Sequence, residues 1–246
     1  MFRVPQGSIL GPVLFTIYVS DLLSVPKRCL SAFYVDDCKL YLSFSPAELT
    51  TSISVLNEDL RRVSQWCCKN SLLINPDITK VLAAGKPQLL QKLSSFSITL
   101  LDKELTPVPV VKDLGVLLDT CLSYNKHITK TASNCLFKLQ QINRIKHLLD
   151  RKMLLLVINS FVFSKLQYCS TVWSNASNSN IDKLQKVQNF SGRIILGLRK
   201  YGHISDGLQS LKWLPIREKR ILNNATKSNK TVFVNTARRV LKFSLC

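Results

Sequence analysis

Apolar positions along this chain follow three spacings, and each predicts a different kind of element. Residues 13–23 are apolar with few interruptions, which fits a helix buried almost all round. Pro12 stands just ahead of them, and its fixed backbone angle suits a first helical turn; residues 5–12 (Pro-Gln-Gly-Ser-Ile-Leu-Gly-Pro) form a turn-rich loop. Residues 30–44 read as strand, tight turn, strand: Phe33, Tyr34 and Val35 lead in, Asp36-Asp37 turn, and Leu40, Tyr41 and Leu42 lead out. Over residues 46–70 the spacing becomes helical, with Ile53, Leu56, Leu60, Val63, Trp66 and Cys67 on one face and Asn70 as a stop. Residues 72–84, 96–105 and 108–119 look like short strands broken by Pro and Asp. Alternating strands and helices of this kind predict an α+β layer.

From Lys126 onward the helical period takes over. Ile128, Ala132, Cys135, Leu136, Leu139, Ile142, Ile145 and Leu149 mark a long amphipathic helix, with Lys130, Lys138, Arg144 and Lys146 elsewhere around it. Asp150 is placed to cap a second helix running to about Cys169, and Asn180 a third, with Leu184, Val187, Ile194 and Ile195 inward and Gly197 at its end. After about Asn223 the periodicity fades into a tail rich in Lys, Asn and Arg, expected to be loose. The organisation expected is therefore residues 1–120 as an α+β layer, 121–222 as an all-α basic bundle, and 223–246 as tail.

Charge sharpens this division. The formal net charge is +19, yet residues 1–125 hold 12 basic and 11 acidic side chains, while residues 126–246 hold 22 basic and 4 acidic. Self-repulsion on that scale needs a reason, and a polyanionic partner supplies one; a basic face that is merely solvated is the plain alternative. The 46% hydrophobic content argues against wholesale disorder. The eight Cys include no CxxC, and three His are too few for a familiar zinc spacing, so free thiols in a reducing compartment are expected. Residues 9–19 and 153–163 fall short of the roughly 20 apolar residues that span a bilayer. Gly11-Pro12 interrupts the first, and no small-residue cleavage site follows it. An intracellular protein of nucleus or cytoplasm is expected, neither secreted nor membrane-spanning.

Two sites carry candidate chemistry. Adjacent carboxylates along a strand point to opposite faces, but at a tight turn Asp36 and Asp37 can approach one ion. Such oxygen donors suit Mg²⁺, which takes one or two protein carboxylates and completes its shell with water and phosphate. A turn that uses Asp only for local hydrogen bonds is the alternative, and the aromatic and apolar strands flanking the pair weigh against it. In Gln6-Gly7-Ser8, glycine allows close backbone approach to a ligand, and the neighbours offer an amide and a hydroxyl. A simple helix-entry turn is its alternative.

These motifs come in a recognisable order. Val4-Pro-Gln-Gly-Ser-Ile-Leu-Gly-Pro-Val-Leu-Phe-Thr-Ile-Tyr-Val-Ser-Asp-Leu resembles the second palm motif of LINE-type, non-long-terminal-repeat retrotransposon reverse transcriptases, and Phe33-Tyr-Val-Asp-Asp-Cys-Lys-Leu-Tyr the third, where Ala-Asp-Asp-Thr is commoner. Leu56-Asn57, Trp66, Asn70, Leu73-Ile74-Asn75 and Thr79-Lys80 are similar to the fourth. Leu114-Gly-Val-Leu-Leu-Asp with His127-Ile128 resembles the palm–thumb junction of jockey-like elements; Tyr168-Cys169, Lys183-Leu-Gln-Lys-Val-Gln-Asn and Leu211-Lys-Trp-Leu-Pro-Ile resemble the region beyond.

The resemblance implies a partial reverse-transcriptase palm in residues 1–120, an all-α thumb-like bundle in 121–222, and two-metal nucleotidyl transfer. Carried over by position, Asp36 is a metal ligand and Asp37 its supporting carboxylate. Gln6, Gly7, Ser8 and Tyr34 line the nucleotide and template side, and Lys80 matches the lysine that assists the leaving group, an ordinary surface lysine being the alternative. Leu114, Gly115 and Val116 lie near the primer grip. Lys126, Lys130, Lys138, Arg144 and Lys146 hold nucleic-acid backbone. Mg²⁺ is the implied cofactor, with no small-molecule cofactor besides. The implied partners are an RNA template, a DNA primer or duplex, and deoxynucleoside triphosphates.

The departures carry expectations of their own. The family's first palm motif, a strand with another essential Asp, lies upstream of the Gln-Gly-Ser loop, so a chain starting at Met1 is expected to lack it together with the fingers. Asp36 and Asp37 without that partner repel each other and should hold metal weakly. A fragment inactive alone is therefore expected, with uncovered apolar palm surface and low solubility. A non-catalytic nucleic-acid-binding remnant and a non-functional transposon product remain as alternatives.

Overall fold

A computed structural model describes residues 8–199, 202–227 and 239–244 of the 246. They form a mixture of helices and small antiparallel sheets in two compact units. Of the described residues, the first unit takes in those up to Asp113, Asp119–Leu122 and 239–244; the second takes in Leu114–Leu118 and those from Ser123 to Lys227. Among the described residues no helix is long and apolar enough to cross a membrane.

In the first unit, α1 (Gly11–Tyr18) begins with Pro12 in its first turn and leads into a 3-10 turn at Ser20–Ser24. Strands β1 (Leu30–Tyr34) and β2 (Asp37–Leu42) follow, then the 3-10 turn Pro46–Glu48 and helix α2 (Leu49–Lys69). Ser45 and Glu48 close a reciprocal capping box ahead of α2, satisfying amides that a helix start leaves unpaired. Then come β3 (Lys80–Leu82), the single turn α3 (Pro87–Leu90), β4 (Ile98–Leu100), β5 (Lys103–Leu105) and β6 (Val110–Asp113).

Helix α2 turns Leu56, Leu60, Val63 and Cys67 toward Cys38 and Leu40 of β2, with Leu22, Cys29, Ile74, Val81, Ile98, Leu100 and Leu105 completing the core. Asp59 lies on that same buried stripe. Its carboxylate accepts from the backbone amides of Lys27 (3.0 Å), Arg28 (2.9 Å) and Cys29 (2.8 Å), and Arg62 Nη1 approaches at 2.7 Å. Burial pushes this carboxyl up, but the three amides outweigh burial and hold it below the usual carboxylate range. The loop that feeds β1 is thus tied to α2 through one side chain.

The run at residues 13–23, expected as a buried helix, behaves differently. Helix α1 stops at Tyr18, only Val19 and Leu22 of the run are buried, and Val13, Leu14 and Ile17 are more than half exposed. Polar contacts anchor its end instead: Trp66 Nε1 donates to Asp21 Oδ2 at 3.1 Å, and the Tyr18 hydroxyl donates to the Asn70 carbonyl. Among the described residues no element covers its apolar side, which is why periodicity alone misjudged it.

The second unit holds β7 (Val116–Asp119, through Leu118) and a set of helices: α4 (Asn125–Ile145), α5 (Arg151–Ile158), α6 (Ser164–Gln167), α7 (Asn178–Leu196), α8 (Ser205–Ser210) and α9 (Ile216–Lys227). The Asp150 side chain caps α5, accepting from the Met153 amide at 2.7 Å. Between α5 and α6 the helix widens into a π turn at Asn159–Phe163. Ser177, rather than the expected Asn180, caps α7, and Gly197 ends it in the left-handed region at φ 66°. Helix α7 packs on α4, α5, α8 and α9, with Ile181, Leu184, Val187, Ile194 and Ile195 buried.

Within residues 223–246, expected to be a loose tail, α9 continues to Lys227 and a strand β8 (Arg239–Ser244) joins the first unit's sheet. The strand order is β1-β2-β8-β3, with every pairing antiparallel.

His127, on the buried side of α4, accepts the Leu117 amide at Nδ1 (3.4 Å), and burial lowers its pKa from the ordinary 6.5. A depressed folded-state value means the neutral form stabilises the fold fully above pH 6.5. That contribution is lost as pH falls from there toward the folded-state value. Thermal melts at neutral and mildly acidic pH should show this loss, and His127→Gln should flatten it. An identical pH slope in the variant would refute the assignment.

Candidate active site

The hairpin that carries the paired carboxylates is set by its strand register. Tyr34 pairs with Asp37, Phe33 with Cys38, Ala32 with Lys39 and Ser31 with Leu40. The turn therefore consists of Val35 and Asp36, and Asp37 is already the first residue of β2, one position from the expected Asp36-Asp37 turn. Val35 takes φ 56°, a left-handed conformation that β-branched residues rarely adopt and that costs of the order of 1–3 kcal/mol. The strain has a local compensation: alternation drives Phe33, Cys38, Leu40 and Leu42 onto the core face, which fixes the register.

The opposite face carries Tyr34, Asp37, Lys39 and Tyr41. Asp36 is exposed at the tip, Asp37 is half-buried, and Tyr34 is 61% exposed beside them. Lys39 is buried and pairs with Asp113 of β6 at 2.8 Å. Tyr41 is pushed up to about 12, first by burial and then by the Asp113 and Cys38 charges. Lys39 thus spends its charge on Asp113, and Asp36 at the hairpin end is open to solvent.

Lys80, the first residue of β3, is exposed and stands in register with Lys242 of β8, which in turn pairs with Lys39. It therefore shares the face of Asp37, with its backbone about 10 Å from Lys39, two strand spacings away. Gln6 and Gly7 lie outside the described residues. Ser8 is half-buried, and its carbonyl accepts the Gly11 amide at 3.3 Å.

Two hard oxygen donors suit Mg²⁺ shared with substrate phosphates and water. Among the described residues no group of three or more His, Cys, Asp or Glu could hold a metal ion. Asp36 and Asp37 thus fit one ligand wall of such an ion and do not by themselves make a two-metal centre.

In the second unit, Leu114 (φ 42°) and Gly115 (φ 86°) make a tight turn, and the Tyr168 hydroxyl donates to the Leu114 carbonyl at 2.6 Å while its ring packs where a Gly115 side chain would begin. Val116 is buried and Leu114 is 37% exposed. Along α4, Lys126, Lys130 and Arg144 are exposed and lie within about 40° of one another at 3.6 residues per turn. Lys138 is half-buried and about 120° round from Lys126 on the same measure. Lys146 is half-buried in the 3-10 turn that closes α4. The five expected backbone contacts therefore divide between different faces.

Several residues that matter here were not singled out from sequence. Asp59 holds the approach to β1, and its signal was an acid on an otherwise apolar helical stripe. Gln185 and Gln188 join two of the downstream motifs: Gln188 Nε2 donates to the Leu214 carbonyl (2.9 Å), Gln185 Oε1 accepts the Ile216 amide (2.9 Å), and Gln185 Nε2 donates to Gln188 Oε1 (2.8 Å). No local pattern announces that pairing.

Residues 2–116 match the family described as reverse transcriptase (RNA-dependent DNA polymerase). The chain is 30% identical, over 78% of its length, to a probable RNA-directed DNA polymerase from transposon BS of Drosophila melanogaster, covering 22% of that protein. It is 28% identical over 79% of its length to the corresponding protein of the X-element of the same fly, again covering 22%. Similarity to the RNA-directed DNA polymerase of mobile element jockey from Drosophila funebris is 27% over 82% of the chain and 23% of the relative. The chain thus spans less than a quarter of the length of these curated relatives. No solved structure matches it. Hairpin, motif order and relatives agree: residues 2–116 are a reverse transcriptase region, and the chain is similar to part of the RNA-directed DNA polymerases of these mobile elements.

Proposed function

We propose that this chain carries the catalytic-hairpin part of an RNA-directed DNA polymerase, followed by helices that hold nucleic acid. The observation that carries the reading is the β1–β2 hairpin. Its core-facing residues lock the register, and the exposed turn at Asp36 next to Asp37 at the start of β2 supports the pair as the carboxylate site. In this assignment residues 1–120 are palm, 121–222 thumb-like and 223–246 a basic tail.

Asp36 and Asp37 would hold Mg²⁺, which when bound supplies activation of the primer 3′-hydroxyl and charge stabilisation of the departing pyrophosphate. Tyr34, opposite Asp37, offers an exposed ring and hydroxyl to the incoming nucleotide. Gln6, Gly7 and Ser8 contribute on the template side. Lys80 presents a cation on the carboxylate face toward the triphosphate. Leu114, Gly115 and Val116 position the primer end. Lys126, Lys130, Lys138, Arg144 and Lys146 contact phosphates on RNA template or primer duplex, and the 22-to-4 excess of basic residues over residues 126–246 supports that role.

Two carboxylates without a third donor among the described residues should support little turnover. We expect no primer extension by this chain on a poly(rA)·oligo(dT) template with Mg²⁺ or Mn²⁺. Product formation that disappears in Asp36→Asn would overturn that inactivity. The carboxylate assignment is tested separately by electron paramagnetic resonance of Mn²⁺ with primer–template and dTTP. Weak binding lost in Asp36→Asn is expected, and unchanged binding in the Asp36→Asn, Asp37→Asn double variant would sink the assignment.

A further inference from the structure

In the first unit, Lys39, Arg61, Arg62 and Lys103 each meet a carboxylate. In the second unit, no Lys or Arg among the described residues does so. Most of these cations point into water, where self-repulsion is modest. One pair does not. Lys138 leaves the exposed face of α4 and its ammonium sits 5.2 Å from the centroid of the Phe161 ring. Lys165, one helical turn beyond Phe161 on α6, is the neighbouring cation that pulls the Lys138 pKa below its ordinary value. Both cations act on the buried Cys135 thiol, which donates to the Val162 carbonyl across 3.9 Å from sulfur to oxygen.

The backbone helps to build this arrangement. Phe161 sits in the π turn Asn159–Phe163, where an extra residue per turn turns the ring outward while Val162 and Phe163 stay buried. Such wide turns recur at functional positions. The ring is 53% exposed, so Lys138 covers part of it and leaves the rest open. Two neighbouring ammonium groups meet no carboxylate among the described residues, and an exposed ring offers a flat apolar face. A phosphodiester answers the first and an unpaired base the second, and single-stranded nucleic acid carries both in each repeating unit. Duplex satisfies only the cations, because its bases are already stacked on one another.

We propose that Phe161, Lys138 and Lys165 form a contact for single-stranded nucleic acid, with a base stacked on the open Phe161 face and a phosphate between the two ammonium groups. This rests on the nucleic-acid reading of the basic helices and narrows it to one strand state at one patch.

Binding of the full chain to fluorescein-labelled oligo(dT) and to a blunt DNA hairpin duplex, read by anisotropy across a salt series, tests it. Phe161→Ala and Phe161→Leu should each weaken oligo(dT) binding by about fivefold or more and leave duplex binding within about twofold. Lys138→Gln and Lys165→Gln should each flatten the logarithmic salt dependence for oligo(dT) by about 0.7, while circular dichroism stays unchanged. Oligo(dT) affinity unchanged in Phe161→Leu, or single strand and duplex weakened equally, would overturn the patch and leave the wider reading standing. Absence of salt-dependent binding to either probe by the unaltered chain would overturn both.

Discussion

Asp59→Ala should lower the stability of the first unit by about 3–5 kcal/mol, a large share of the 5–15 kcal/mol typical of a folded domain. The substitution strands three amides, the buried one of Cys29 and the part-buried ones of Lys27 and Arg28, and leaves Arg62 without its 2.7 Å partner. Hydrogen bonds to an ionised group contribute about 1.5–3 kcal/mol each, so losing several at one fully buried carboxylate outweighs any gain in helix propensity from alanine. Asp59→Asn keeps the shape and one acceptor, and should lie between the two. Because the folded-state pKa is depressed, the stabilisation is present above the ordinary 3.8 and lost as pH falls below it. Urea unfolding with hydrogen exchange at the Cys29 amide would read both effects. A loss in Asp59→Ala under about 1 kcal/mol would show that water or a neighbouring carboxylate replaces it.

Gln188→Glu should be nearly as damaging in the second unit at neutral pH. The side chain is 1% exposed, donates to the Leu214 carbonyl and accepts from Gln185. A glutamate of the same shape accepts but cannot donate when ionised, so it faces a carbonyl oxygen with a desolvated charge. The expected cost is about 3 kcal/mol, falling as acid protonates the carboxyl, since burial raises its pKa. Melting temperatures on either side of neutrality would show recovery at low pH. A variant equally stable at all pH values would mean that the Leu214 segment detaches without consequence, contrary to the hydrogen bonds seen.

What the sequence revealed and what it hid divide along physical lines. Helices α2, α4, α5 and α7 were readable because a 3.6-residue apolar period and a side-chain cap are local properties. The α7 cap was misplaced by three residues because Ser177 and Asn180 are both good caps, and only packing chooses between them. The hairpin was readable from its aromatic strands, but its turn was placed one residue late, since nothing in a sequence favours valine at φ 56°. The exposure of α1 was hidden because an apolar run states a preference for burial and not what will cover it. The Lys138–Phe161–Lys165 patch depends on a π turn, which shifts the helical phase that sequence reasoning assumes to be constant.

Strand β8 has a further consequence, for the order in which the molecule assembles. It lies between β2 and β3 and pairs residue 37 with residue 244, so the sheet beneath the carboxylates closes only across a loop of about 200 residues. Until those residues leave the ribosome, β2 and β3 each present a bare ladder of amides and carbonyls, a template for pairing with other chains. Closure over so long a loop is slow compared with the helices of the second unit, whose contacts are nearer in sequence. Nascent chains therefore pass through a stage in which the basic helices can already form while the hairpin edge is open, and at that stage aggregation competes with completion of the sheet.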